Sequence, residues 1–151
     1  MILKASDEEK IKYCFQLGKE RESGVKPEQA LADVELEWRG RCSRIKALVD
    51  SGASRSVISK TISDELGSFI SSERAYEVRT ADKEGRLRIV GHCITRMVFQ
   101  GVEVPGEVVF EVAENLWEDM QLIIGRPEID AWDIVFTPEG PKPRKTPMNL
   151  K

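Results

Sequence analysis

The sequence predicts a mainly β protein built as one domain, and three observations carry that expectation. Apolar and polar residues alternate with a period of two in several stretches, as in a half-buried strand. Gly, Pro and charged breaks separate those stretches at short spacing. After the N-terminal segment, helical spacing is confined to short pieces. A length of 151 residues suits one domain with a core of its own.

The chain opens with Ser6 and, three residues later, Glu9. This pair reads as a capping box for a helix carrying Ile11, Cys14 and Phe15 on one face, which Gly18 and Ser23-Gly24 then weaken. Residues 1–31 are expected to be a helical extension packed on the domain. From Ala32 the period changes: Val34, Leu36 and Trp38 alternate with Asp33, Glu35 and Glu37, and Gly40 turns this strand into a partner over Ser43 to Val49. Ile58, Ile62 and Leu66 follow at helical spacing, with Gly67 placed as a C-cap. Tyr76, Val78 and Thr80, then Leu87 and Ile89, predict a hairpin with a charged tip at Ala81 to Arg86. Strands are expected at Ile94 to Phe99 and Val104 to Val112, separated at Gly101 and broken by Pro105-Gly106. Met120 to Ile124 is an apolar run stopped by Gly125. Pro127 then suits the first turn of a short helix holding Ile129 and Trp132. Ile134 to Phe136 closes a domain expected over 32–136. The Pro- and Lys-rich tail over 137–151 cannot build a core and is expected to be extended or disordered unless its end pairs with another chain.

Composition excludes more than it selects. A net charge of −3 lacks the basic excess that nucleic acid attracts, and no aromatic platform accompanies the Lys and Arg of the tail. Neither nucleic acid nor a membrane is expected as a partner. The start MILKASDEEK lacks the features of a signal peptide, and no run approaches the ~20 apolar residues that span a bilayer. The expectation is a soluble, cytoplasmic protein. Cys14, Cys42 and Cys93 are odd in number and far apart, and read as buried thiols of a reducing compartment. His92 is the only histidine and has no ligand spacing around it, so neither metal nor cofactor is expected.

One stretch carries chemistry. Ala47-Leu48-Val49 runs straight into Asp50-Ser51-Gly52-Ala53-Ser54. Asp, Ser and Gly all favour turns, so the tripeptide alone reads as an Asx-type turn. No GxSxG elbow, phosphate loop or HExxH helix competes with it. With the charged hairpin and the late Leu122-Ile123-Ile124-Gly125-Arg126 run ahead of a short helix, the ordered set resembles the retropepsin-like aspartic peptidases over about residues 32–136.

The resemblance implies a closed β-barrel of the acid-protease type with two short internal helices, to which the N-terminal helix is an addition. It implies an aspartic endopeptidase acting on peptide or unfolded protein. Such chemistry needs two carboxylates sharing a proton, and this chain holds one Asp-Ser-Gly. Asp50 is therefore expected to meet its copy at the axis of a homodimer. Ser51 would bond across that axis, Gly52 would let backbone approach the substrate, and Ala53, Ser54 and Ile124 would line the cleft. Ala81, Asp82, Lys83, Glu84 and Gly85 would be the tip of a flap over the substrate. Gly125 and Arg126 would support the loop. Where retroviral members carry an acid, Ser54 stands here, so the partner of Arg126 is expected in Glu128 or Asp130. The alternative is a catalytically silent dimer of the same fold, acting as a binding or assembly module.

Overall fold

The computed structural model describes residues 30–79, 86–116 and 120–144. The expected N-terminal helix and the hairpin tip Ala81 to Gly85 lie outside these residues.

β1 (Leu31–Trp38) and β2 (Arg41–Val49) form an antiparallel hairpin about Arg39-Gly40. Val34 and Leu36 face inward and are buried, while Asp33 and Glu35 face out, opposite Lys46 and Arg44. These pairs lie at 3.1 and 3.3 Å on exposed surface, where salt and solvent leave an ion pair little net energy. Cys42 also lies on this outer surface and is exposed, against the expectation of a buried thiol. It sits near the turn, before the strand acquires neighbours on both edges.

The alternation stops at Ala47, Leu48 and Val49, all three of which are buried. The cause is a second partner: the end of β2 pairs in parallel with β7 (Leu122–Ile124), in register Leu48↔Ile123 and Val49↔Ile124. A strand flanked and covered on both faces reads as a continuous apolar run. β3 (Val57–Ser59) lies on the other edge of β7, antiparallel to it, and parallel to β6 (Val102–Ala113). The chain between them carries α1 (Lys60–Leu66), capped by the Ser59 side chain accepting from the Ile62 amide at 3.1 Å and closed by Gly67. β4 (Phe69–Arg79) and the long β5 (Arg86–Phe99) follow.

Pairing of β5 with β1, from Val34↔Phe99 to Glu37↔Arg96, closes the order β1-β2-β7-β3-β6-β5 into a six-strand barrel. β4 lies outside it, on the first half of β5. Pro105-Gly106 does not break β6. The pairing passes from Thr95↔Val108 to Met97↔Val104, so the extra residues are absorbed in a bulge, a site that tolerates a proline without an amide proton.

The barrel interior holds the larger apolar cluster, including Leu36, Val49, Ile58, Met97, Phe99, Phe110 and Ile124. A second cluster of Leu48, Val57, Ile89, Ala113, Met120 and Ile123 extends to Ala53 in the turn after β2 and to Val78 and Leu87 on the β4–β5 hairpin. α2 (Arg126–Ala131) leaves β7 directly, and its following Trp132 packs on Phe99 with ring centroids 5.6 Å apart. β8 (Ile134–Thr137) does not end the structure: it pairs with β9 (Gly140–Pro143), so the first part of the proline-rich tail is a strand. Its prolines are tolerated because this ribbon is two-stranded, so a residue without an amide proton can face away from the one partner strand.

Candidate active site

The Asp50 turn belongs to a loop that leaves the barrel on one side of β7 and returns on the other. β2 reaches Asp50 alongside β7; residues 50–56 cross its end; β3 then runs back on the far edge. The crossing is tied at three points to β7 or to the residues just after it. The Asp50 amide donates to the Ile124 carbonyl at 2.9 Å, and the Arg126 amide donates to the Ala53 carbonyl at 2.8 Å. The Gly125 amide donates to Ser56 Oγ at 2.8 Å.

Within the loop, the Gly52 amide donates to Asp50 Oδ1 at 2.9 Å and the Ala53 amide donates to the Asp50 carbonyl at 3.0 Å. The aspartate therefore does form an Asx turn, and the same bond fixes the direction of its carboxylate. Turn-former and oriented acid are one arrangement here. Asp50 and Ser51 are half-buried and Gly52 is exposed at the turn.

Gly125 is required by contact, since its own φ of −106° is open to any residue. A Cβ there would lie 2.4 Å from the Arg55 carbonyl oxygen and 2.7 Å from that of Ala53. The two carbonyls press on the glycine from the loop, so close packing of loop against β7 depends on it.

Of the two acids of α2, Asp130 holds Arg126, with Nη2 to Oδ1 at 2.7 Å. Glu128 turns the other way and accepts from the Ser56 hydroxyl. Ser54 is exposed. Ile124, expected at the substrate cleft, is instead fully buried in the barrel core. Alternation along the strand turns its neighbour Ile123 to the opposite face, into the cluster that reaches Ala53, Val78 and Leu87.

Arg55 and Glu111 were not legible as a pair. Arg55 Nη1 donates to both carboxylate oxygens of Glu111 at 2.9 Å, tying the loop to β6. This bond and the Glu111 charge raise the guanidinium pKa. Tyr76 on β4 lies close enough to feel both: burial raises its phenol, and the Glu111 carboxylate raises it further. Arg55 and Glu111 are 56 positions apart, and nothing local in either stretch announces the contact. His92, on β5, lines a depression of about 470 Å³ with Arg55, Ser56, Glu111 and Glu128. Among the described residues no cluster of His, Cys, Asp and Glu could hold a metal ion, and no helix is long and apolar enough to cross a membrane.

The sequence matches no family model and no curated protein. Solved structures do match. The retroviral protease-like domain of Ddi1 from Leishmania major superposes with a TM-score of 0.52 at 23% identity, covering 74% of this chain and 82% of that one. The protease of EIAV, solved with an inhibitor, gives a TM-score of 0.49 at 14% identity, over 78% of this chain and 96% of that one. The six-strand barrel with its Asp50 loop crossing the end of β7 is a retropepsin-like fold.

Proposed function

We propose that the chain is an aspartic endopeptidase that works as a homodimer, with Asp50 of each subunit at the shared axis. The observation that carries this reading is the setting of Asp50. Its carboxylate is oriented by the Gly52 amide, its backbone is tied to Ile124, and it stands at the end of a buried strand on a half-exposed loop.

One carboxylate cannot activate water and protonate a carbonyl oxygen in the same step. Two, about 3 Å apart, cannot both ionise and so share a proton. The ionised member draws a proton from water as it attacks the peptide carbonyl, and the protonated member donates to the developing oxyanion. On this reading the backbone ties of the loop hold two identical carboxylates at that separation, Ser51 stiffens the meeting of the loops, and Gly52 leaves room for substrate. Ala53, Ser54 and Ile123 form the floor. The β4–β5 hairpin, whose Val78 and Leu87 pack on the same apolar cluster as Ala53, covers the bound peptide. The likeness to the Ddi1 domain supports the fold that this arrangement needs.

The test compares wild type with Asp50→Asn on denatured casein and a peptide library across pH. Wild-type cleavage that Asp50→Asn abolishes, with fold and association intact, supports the proposal. Cleavage by both proteins refutes the role of Asp50, and a folded wild type silent at every pH favours the binding-module alternative.

A further inference from the structure

We infer that Ser56 and Glu128 are positioning residues for Asp50, acting through a single peptide plane. The inference rests on the peptidase reading for its kinetic consequences but not for its geometry.

The peptide joining Ile124 to Gly125 is engaged at both ends by the same loop. Its carbonyl oxygen accepts from the Asp50 amide at 2.9 Å, and its N–H donates to Ser56 Oγ at 2.8 Å. A peptide unit is planar and trans, so its N–H and C=O point in fixed opposite directions. Holding the N–H therefore holds the carbonyl on which Asp50 hangs. The safeguard matters here because residue 125 is glycine, whose backbone resists rotation of the preceding peptide less than any other residue's. The loop needs that glycine for close approach, and Ser56 supplies the rigidity that glycine removes.

Ser56 can do this only if its hydroxyl points the right way. A hydroxyl has one proton and a free torsion, and it accepts well only when that proton is directed elsewhere. Glu128 takes it. The Ser56 hydroxyl donates to Glu128 Oε1 and turns a lone pair to the Gly125 amide. Ser56 is 7% exposed, so water does not readily replace either partner. Pro127 in the first turn of α2 sets the start of the helix that carries Glu128. The order of action is Glu128 to Ser56, Ser56 to the Ile124–Gly125 peptide, and that peptide to Asp50.

Four variants test the inference: Ser56→Ala, Ser56→Thr, Glu128→Ala and Glu128→Gln. Two readouts are taken on each, hydrogen exchange of the Gly125 amide by NMR and steady-state hydrolysis of a peptide cleaved by wild type. Ser56→Ala should speed Gly125 exchange at least ~10-fold and lower kcat by about 10- to 100-fold with KM nearly constant, the size expected for small misplacement of a reacting group. Glu128→Ala should move both readouts in the same direction by less, and it keeps the test open if Ser56→Ala folds poorly. Ser56→Thr and Glu128→Gln should restore most of each, because a hydroxyl and an acceptor remain. Unchanged exchange in both alanine variants, or a threonine variant as damaged as Ser56→Ala, overturns the inference. If wild type hydrolyses nothing, the peptidase reading fails separately, and Gly125 exchange alone decides whether the relay holds the peptide.

Discussion

Replacing Gly125 with alanine isolates the contact between the loop and β7 from every other feature of the site. The added Cβ would lie 2.4 Å from the Arg55 carbonyl oxygen and 2.7 Å from the Ala53 carbonyl oxygen, about 1 Å inside ordinary van der Waals contact. Both clashing groups are backbone, so relief requires the loop to move. Overpacking of this kind costs about 1–3 kcal/mol, which at roughly 2–4 °C per kcal/mol for a chain of this length lowers Tm by about 2–12 °C. Catalysis should suffer more than stability, because a displacement near 1 Å at a reacting group costs on the order of 100-fold in rate. Gly101→Ala is the control. Gly101 has φ of +81° and open space around it, so the substitution adds backbone strain of about 1–2 kcal/mol without touching the loop. Thermal unfolding and peptide hydrolysis should separate the two: similar losses of Tm, but loss of turnover in Gly125→Ala alone. Equal activity in both variants, at matched Tm, would show that the loop carbonyls yield freely and that close packing on β7 does not position Asp50.

Other consequences can be checked in parallel. Asp50→Asn should reduce hydrolysis to background while circular dichroism and sedimentation stay as in wild type, since in the proposed homodimer one substitution removes both carboxylates at once. Specific activity should fall on dilution through the dimer dissociation constant, and full activity from a species that sediments as a monomer would refute the shared site. The pH–rate curve should be bell-shaped, reporting the pair and not either acid alone, and a flat profile across the acid range would count against a shared proton. In a Cys14→Ser background, a thiol reagent should modify Cys42 quickly and Cys93 only on unfolding, since Cys93 is enclosed and in contact with Ser68 Oγ at 3.0 Å. Burial raises the Cys93 pKa above its ordinary 9.0, although the hydroxyl contacts act the other way. The folded state then holds that proton more tightly than the unfolded one, so the contribution of Cys93 to stability is complete below about pH 9 and declines as pH rises through the elevated value.

Legibility in the sequence followed the number of faces each strand exposes. β1 alternates because one face meets the core and the other solvent, and its period is legible; β5 alternates too, but the sequence reads it as two pieces, Leu87 to Ile89 and Ile94 to Phe99, where the structure has one continuous strand. β3 and β7 are three residues each, buried throughout, and a run with no exposed position has no phase to read. The same lack of phase hides the side on which Ile124 lies: in Leu122-Ile123-Ile124 only the register with β2 and β3 decides which side chain faces the loop. β9 was hidden by prolines that a two-stranded ribbon accepts. Asp50 stood out because its turn chemistry is local. Ser56, Arg55 and Glu111 do not, and Glu128 is expected at Arg126 and not at Ser56, because each acts through a partner that only the closed barrel brings near.

The crossing of the loop over β7 also sets when the site can exist. Ser56 and Gly125 are separated by 69 positions and Ser56 and Glu128 by 72, and β2 and β3 remain unpaired on one edge until β7 arrives between them. Contacts of such long sequence separation form late and slow folding. During synthesis Asp50 is made well before the residues that hold it, so a nascent chain carries the acid without its support. On the proposed reading, activity therefore has to wait for the segment that completes the barrel, until nearly all of the described chain has been released to fold.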